Sequence, residues 1–220
     1  LAEGAGIIDV GGESTRPGHV PVPAEEEQVR ILPVIRDLAA RLPVPISVDT
    51  YKASAARVAL EAGARMVNDV WGLQREPDIA RVAADYGAPV MIMHNRETID
   101  PALDIVADML RFFERSLAIA RAAGLRDGDI VLDPGIGFGK SWAQHLEALR
   151  RLPEIVALGF PVLVGVSRKS LLGRLHDAET KPVDRLFGSI GSHVLAGRGL
   201  HDQQVVRLLR GDEGQVFLRV

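Results

Sequence analysis

No cysteine occurs among the 220 residues of this chain. Disulfides, thiolate zinc sites and cysteine nucleophiles are therefore excluded outright. An excess of charge of one sign is also lacking. Twenty-six Lys and Arg stand against 29 Asp and Glu, a formal net charge of −3, which argues against nucleic acid or a membrane surface as a partner. No apolar run is long enough to span a bilayer, and no basic-then-apolar leader opens the chain, so a cytoplasmic location is expected. No low-complexity stretch or linker interrupts the sequence, and residues 1–220 read as one domain. The six histidines show no clustering at ligand spacing. What is present is 47% hydrophobic and 25% charged residues, an ordinary globular composition with material for a sizeable core.

Short apolar, β-branched runs alternate with longer helical patterns. Strands are expected in "AGIIDV" (5–10), "VPISVDT" (44–50), "ARMVNDV" (64–70), "APVMIMH" (88–94), "DIVLDP" (129–134), "FPVLVGVS" (160–167) and "GQVFLRV" (214–220). Helices are expected near 24–41, 53–62, 77–86, 103–123, 142–152 and 183–195. "EAGA" and "AAGL" put Gly63 and Gly124 just past helix ends, where a left-handed residue is wanted. Strands apolar on both faces and joined by helices imply a parallel sheet covered by helices. An open doubly wound sheet gives the same alternation as a closed barrel, and periodicity does not separate them. A (β/α)8 barrel needs eight strands; seven are counted. The chain begins "LAEGAG", which reads as the last turn of a helix. The expectation is thus an α/β TIM (β/α)8 barrel lacking its first strand and loop, open by one strand, with exposed edges and poor stability alone.

The stretch "LDPGIGFGKS" (132–141) imitates a phosphate-binding P-loop. That motif requires glycine five residues before the glycine of Gly-Lys-Ser. Pro134 stands there, with no N–H to offer. What remains is Asp133, an acid ending an apolar run. Six successive strands end in this way: Asp9 with Glu13; Asp49; Asn68 with Asp69; His94 with Asn95; Asp133; and the group Ser167-Arg168-Lys169. Any one of them could simply cap the next helix. Asp49 and Asp133 directly follow very apolar runs, and buried carboxylates require partners. A heterocycle with an amidine-like N–C–NH₂ edge supplies matching donors. "GGESTRPGH" (11–19) and "SRKS" (167–170) add hydroxyls and cations suited to an anion. Lys140 and His94 read as structural.

In combination and order, "IIDVGGESTRPG", "ISVDTYK", "VNDV", "MHNR", "VLDPGIGFGK" and "VLVGVSRKS" resemble the dihydropteroate synthases, a folate-pathway family of TIM barrels. The resemblance runs from Leu1 to about Gly191. It implies a transferase joining 6-hydroxymethyl-7,8-dihydropterin diphosphate to p-aminobenzoate, with Mg²⁺ on the leaving diphosphate and a homodimer as the working form. Residue by residue, it implies pterin binding by Asp49, Asn68, Met93, Asp133 and Lys169, with Asp133 and Lys169 catalytic. It implies p-aminobenzoate binding by Thr15, Arg16, Phe138 and Ser170. The glycines after Asp133 are expected to let that loop pass close to the ligand.

Two family elements have no counterpart here. The first strand with its Asn-x-Thr-x-Asp-Ser-Phe loop, which supplies the Mg²⁺-associated Asn, would precede Leu1, so no metal ligand is assigned. The terminal Arg-Val-His-Asp, whose Arg and His hold diphosphate, would begin at Arg219-Val220; an alternative register puts Arg210 there. Weakened catalysis is expected on both grounds. Rival readings are a non-catalytic pterin-binding paralogue and a methyltetrahydrofolate-dependent methyltransferase, against which "DPGIGFGK" and "SRKS" speak.

Overall fold

A computed structural model describes residues 5–14, 20–166, 205–211 and 214–219. For the last two segments the description is of the backbone. Six strands alternate with helices: β1 (Ile7–Gly11), α1 (Ala24–Arg41), β2 (Ile46–Asp49), α2 (Ala53–Glu61), β3 (Met66–Asp69), α3 (Asp78–Tyr86), β4 (Val90–Met93), α4 (Ile105–Ala122), β5 (Ile130–Asp133), α5 (Trp142–Arg150), α6 (Leu152–Val156) and β6 (Val162–Val164). Two strands follow, β7 (Val205–Gly211) and β8 (Gly214–Arg219). The helix expected near 183–195 lies outside the described residues.

The strands close into a barrel in chain order. β1 to β7 pair in parallel, whereas β8 runs antiparallel to both β7 and β1. The barrel expectation holds, but the expected open edge is not found. The cause is β7, a strand absent from the seven expected from the sequence. β7 and β8 form a hairpin whose free side pairs with β1 at Ile7–Phe217 and Asp9–Gln215, so the strand edge is covered.

Local chemistry sets the helix ends. Gly63 and Gly124 have φ of +116° and +92°, the conformation their positions after α2 and α4 demand. Asp104 caps α4 by accepting from the Val106 and Ala107 N–H groups, and Ser141 with Gln144 forms a capping box on α5.

Alternation along each strand separates two faces. Ile46, Val48, Val67, Val90, Ile92, Ile130, Leu132, Val162 and Val164 face the helices and belong to the main core. The inward set begins with Ile7, Met66, Met91, Val131 and Leu163. One step toward the strands' C-terminal ends it becomes Asp9, Asn68, Met93 and Asp133. An apolar floor therefore lies under a polar ring.

Candidate active site

The ring is made by register. Asp49 stands beside Asn68, and Met93 beside Asp133, on neighbouring parallel strands. Asp49, Asn68, Met93 and Asp133 are all at least nine-tenths buried. The Asn68 amide donates to Asp9 Oδ2 at 3.0 Å, orienting its carbonyl end. Asp133 Oδ1 accepts the Gly135 N–H at 2.6 Å, which fixes the carboxylate at the start of its loop. Two carboxylates, an amide and a thioether thus share one mouth above an apolar floor. This arrangement suits a flat, donor-rich heterocycle. Asp69, one residue beyond Asn68, points to the opposite face. It caps the 70–73 turn by accepting from the Trp71 and Leu73 N–H groups at 2.8 and 2.7 Å. Complete burial pushes its carboxyl up to about 6 against the pull of these bonds.

Two lysines, Lys52 half-buried and Lys140 buried, brace the loops around the mouth. Lys52, after β2, bridges Glu13 in the β1–α1 loop and Glu27 on α1, the latter at 2.5 Å. Tyr51 Oη donates to Glu13 Oε1 at 3.0 Å, and the Val22 N–H donates to Glu13 Oε2 at 3.3 Å. The Glu13 carboxylate therefore ties residue 13 to residue 22, the two ends of the segment that carries Thr15 and Arg16. Burial opposes both charges, but the mutual hydrogen bonds prevail, holding Glu13 below and Lys52 above their ordinary ranges.

Lys140 is buried on the other side of the mouth. It donates to the backbone carbonyls of His94, Gly135 and Phe138 at 3.2, 3.0 and 3.1 Å. The β5–α5 loop here lies against the β4–α4 loop. A Cβ on Gly135 would sit 2.0 Å from the His94 carbonyl oxygen, and one on Gly139 would sit 2.6 Å from that of Arg96. Gly135 and Gly139 of "DPGIGFGK" thus serve loop-on-loop contact. His94 is fully buried, with Nε2 3.1 Å from Asp108 Oδ2, which also accepts from Arg96 Nη1 at 2.7 Å. Burial lowers the imidazole to about 4 despite the Asp108 contact, so it is neutral at pH 7. As expected, His94 and Lys140 are structural.

Phe138 is half-buried in the same loop. Thr15, Arg16, Lys169 and Ser170 lie outside the described residues. For Arg219 and Arg210 the strand pairing gives backbone positions. β8 runs antiparallel, so Arg219 pairs with Val206 near the start of β7. Arg210 pairs with Gln215, which in turn stands beside Asp9 at mouth level. The alternative register thus has an arginine position near the mouth. The Lys52 bridge was missed, although a signal existed: Glu27 shares the i, i+4, i+8 stripe with buried Ile31 and Ile35. A charge on a core stripe demands a partner.

A closed α/β barrel whose strand ends converge on buried carboxylates and an amide defines a TIM-type ligand-binding or catalytic barrel. The family model described as pterin binding enzyme matches residues 1–205. The chain is 46% identical over 196 residues to a dihydropteroate synthase of Clostridium beijerinckii, covering 89% of this chain and 71% of that protein. With that of Bacillus subtilis it shares 45% over 197 residues, covering 90% and 68%. A crystal structure of the Clostridium difficile dihydropteroate synthase, obtained in the presence of pteroic acid, superposes with a TM-score of 0.87 at 47% identity, covering 94% of this chain and 77% of that one. The Xanthomonas albilineans enzyme with 4-aminobenzoic acid gives 0.87 at 42%, covering 94% and 74%. The chain belongs to the pterin-binding enzyme family, among its dihydropteroate synthases.

Proposed function

We propose that this chain condenses 6-hydroxymethyl-7,8-dihydropterin diphosphate with p-aminobenzoate, giving 7,8-dihydropteroate and diphosphate. The observation that carries the reading is the buried ring of Asp49, Asn68, Met93 and Asp133 above an apolar floor, in a chain 46% identical to a dihydropteroate synthase. In this reading the carboxylates of Asp49 and Asp133 accept from the amino-pyrimidine edge of the pterin, and Asn68 and Met93 complete its slot. The C–O bond to the diphosphate breaks, and its electron pair leaves with the diphosphate oxygen. The positive charge left on the pterin methylene and ring is stabilised by Asp133, held for that purpose by the Gly135 N–H. The arene amine then forms the C–N bond and releases its proton to water. Lys169 orients the ring, and Thr15, Arg16, Phe138 and Ser170 hold the second substrate.

Mg²⁺ belongs to the proposal through the family resemblance alone. Among the described residues no three His, Asp or Glu side chains converge as a metal site, and no step is routed through the ion. The proposal takes residues 1–220 as one domain and the working form as a cytoplasmic homodimer, which sedimentation would test. Among the described residues no helix is long and apolar enough to cross a membrane.

Calorimetry with the pterin diphosphate and then p-aminobenzoate, with and without Mg²⁺, tests the reaction reading. Ordered binding of both is expected. Asp133→Ala is expected to abolish pterin binding and turnover. Pterin binding unchanged in that variant would overturn the site assignment, and pterin binding without p-aminobenzoate binding would favour a non-catalytic paralogue.

A further inference from the structure

A second concavity flanks the ring. A cleft of about 340 Å³ opens between the β3–α3 and β4–α4 loops, beside α4. Its walls carry three arginines, Arg75, Arg96 and Arg115, with two carboxylates, Glu97 and Asp108. The guanidinium of Arg75 lies over two rings at once, 4.6 Å from the centre of Trp71 and 5.0 Å from that of Tyr51. Stacking restrains it while leaving its in-plane N–H groups available. Among the described residues no acceptor takes a hydrogen bond from Arg75. Tyr51 is itself anchored by its bond to Glu13, so this wall of the cleft is braced. Among the described residues Arg115 lies over Phe112 and gives only its Nε–H, to Gln74 Oε1 at 3.2 Å. Asp108 is already engaged by His94 and Arg96.

We propose that this cleft binds a small phosphate-type oxyanion, phosphate or diphosphate, gripped by Arg75 and Arg115. One face of Trp71 and one of Phe112 each carry a guanidinium. The exposed chemistry is a set of forked N–H donors, which match oxyanions bidentately. Two arginines with uncommitted donors suit a multiply charged anion better than a monocarboxylate, which one guanidinium satisfies. The site does not depend on the reaction proposed above.

Trp71 reports on the cleft directly. The chain has two tryptophans, and Trp142→Phe leaves Trp71 as the single indole. At constant ionic strength, a saturable change in its fluorescence is expected with inorganic diphosphate, a weaker one with phosphate, and none with acetate. Arg75→Ala and Arg115→Ala, both at exposed positions, are each expected to weaken diphosphate at least tenfold, whereas Arg126→Ala, at a remote exposed position, leaves it unchanged. Absence of a saturable response, an equal response to acetate, or affinity unaffected by both substitutions would overturn the proposal. Should Trp142→Phe fail to fold, calorimetric titration of the unsubstituted chain and of Arg75→Ala with diphosphate decides the same question.

Discussion

Lys52 and Lys140 stand on opposite sides of the barrel mouth, and each ties neighbouring segments together through its ammonium group. Their partners differ in kind. Lys52 meets two carboxylates, Glu13 and Glu27. Lys140 meets three backbone carbonyls. A carboxylate is a side chain, and a substitution can remove it. A carbonyl belongs to the fold and stays wherever the loop stays. The first brace is therefore electrostatic and replaceable, whereas the second is geometric and bound up with the path of the backbone.

The geometric brace should be the more fragile to small changes. Gly135 has φ +65°, and a Cβ there would fall 2.0 Å from the His94 oxygen. Gly87, at φ +60°, has no described residue within 4 Å of its would-be Cβ. Gly87→Ala is expected to cost only the left-handed strain, ~1 kcal/mol. Gly135→Ala must also force the β4–α4 and β5–α5 loops apart, and a loss of about 4 kcal/mol is expected, lowering Tm by roughly 8–16 °C at this chain length. Equal melting shifts for the two variants would show that the β4 and β5 loops are not held as tightly as this contact requires.

Compensation separates the two lysines next. Lys52→Met leaves Glu13 and Glu27 facing each other at low exposure, for a loss of about 3 kcal/mol. Adding Glu13→Gln and Glu27→Leu should recover most of it, because replacing a buried ion pair whole is often close to neutral. Lys140→Met strands three carbonyls, for a similar loss of about 3 kcal/mol, and no second substitution can remove them. Denaturant midpoints of the two single variants and the Lys52 triple variant check this. Recovery absent in the triple variant would make the Lys52 cluster geometric as well.

This contrast also explains how far the sequence could be read. Strand and helix positions follow from apolar periodicity, and Gly63 and Gly124 announced two helix ends because a left-handed backbone narrows the residue choice. The ring residues were legible since Asp49, Asn68 and Asp133 end apolar runs, where a polar side chain has no local reason to be. Glu27 could have been read too, being a charge on a core stripe. Lys140 could be read as structural but not as a carbonyl bridge, because carbonyls are present at every position and leave no mark on composition. β7 was missed for a related reason. Its pairing with β6 and β8 is decided by distant edges, and "VVRLLRG" carries its arginines in a stretch that looks like polar connection.

Acid offers a third means of telling the braces from each other. Glu13 is held below its ordinary range by Lys52, Tyr51 and the Val22 N–H, which outweigh burial. Its contribution is present above 4.5, the unfolded value, and is lost as pH falls through the lower folded value. Lys140 faces neutral carbonyls, so its brace loses no acceptor charge in this window. Acid melting below pH 4.5 should therefore be shallower in Glu13→Gln than in Lys140→Met, which acts there only by removing a charge that helps keep His94 neutral. An equal change in slope in both variants would mean that the acid sensitivity lies elsewhere.

The smallest effect expected is in the wild-type chain between pH 6.5 and 4, where two buried groups beside the β3 and β4 strand ends oppose each other. Burial lowers His94 from 6.5 to about 4. Its neutral form is the folded one, so its contribution is full above pH 6.5 and disappears as pH falls toward 4. Burial raises Asp69 from 3.8 to about 6. Its contribution is full below 3.8 and disappears as pH rises through 6. Each shift spans a little over two units, of order 3 kcal/mol, and the two slopes run in opposite directions. The wild-type midpoint should therefore change little across the window. Asp69→Asn should uncover a fall in stability on acidification, and His94→Gln a rise. His94 also presents its carbonyl to Lys140, so a charged imidazole would load the geometric brace that the neutral ring leaves undisturbed. If Asp69→Asn melts as flatly as the wild type from pH 6.5 to 4, His94 is not held neutral by burial, and the β4–β5 junction tolerates a charge that its packing should refuse.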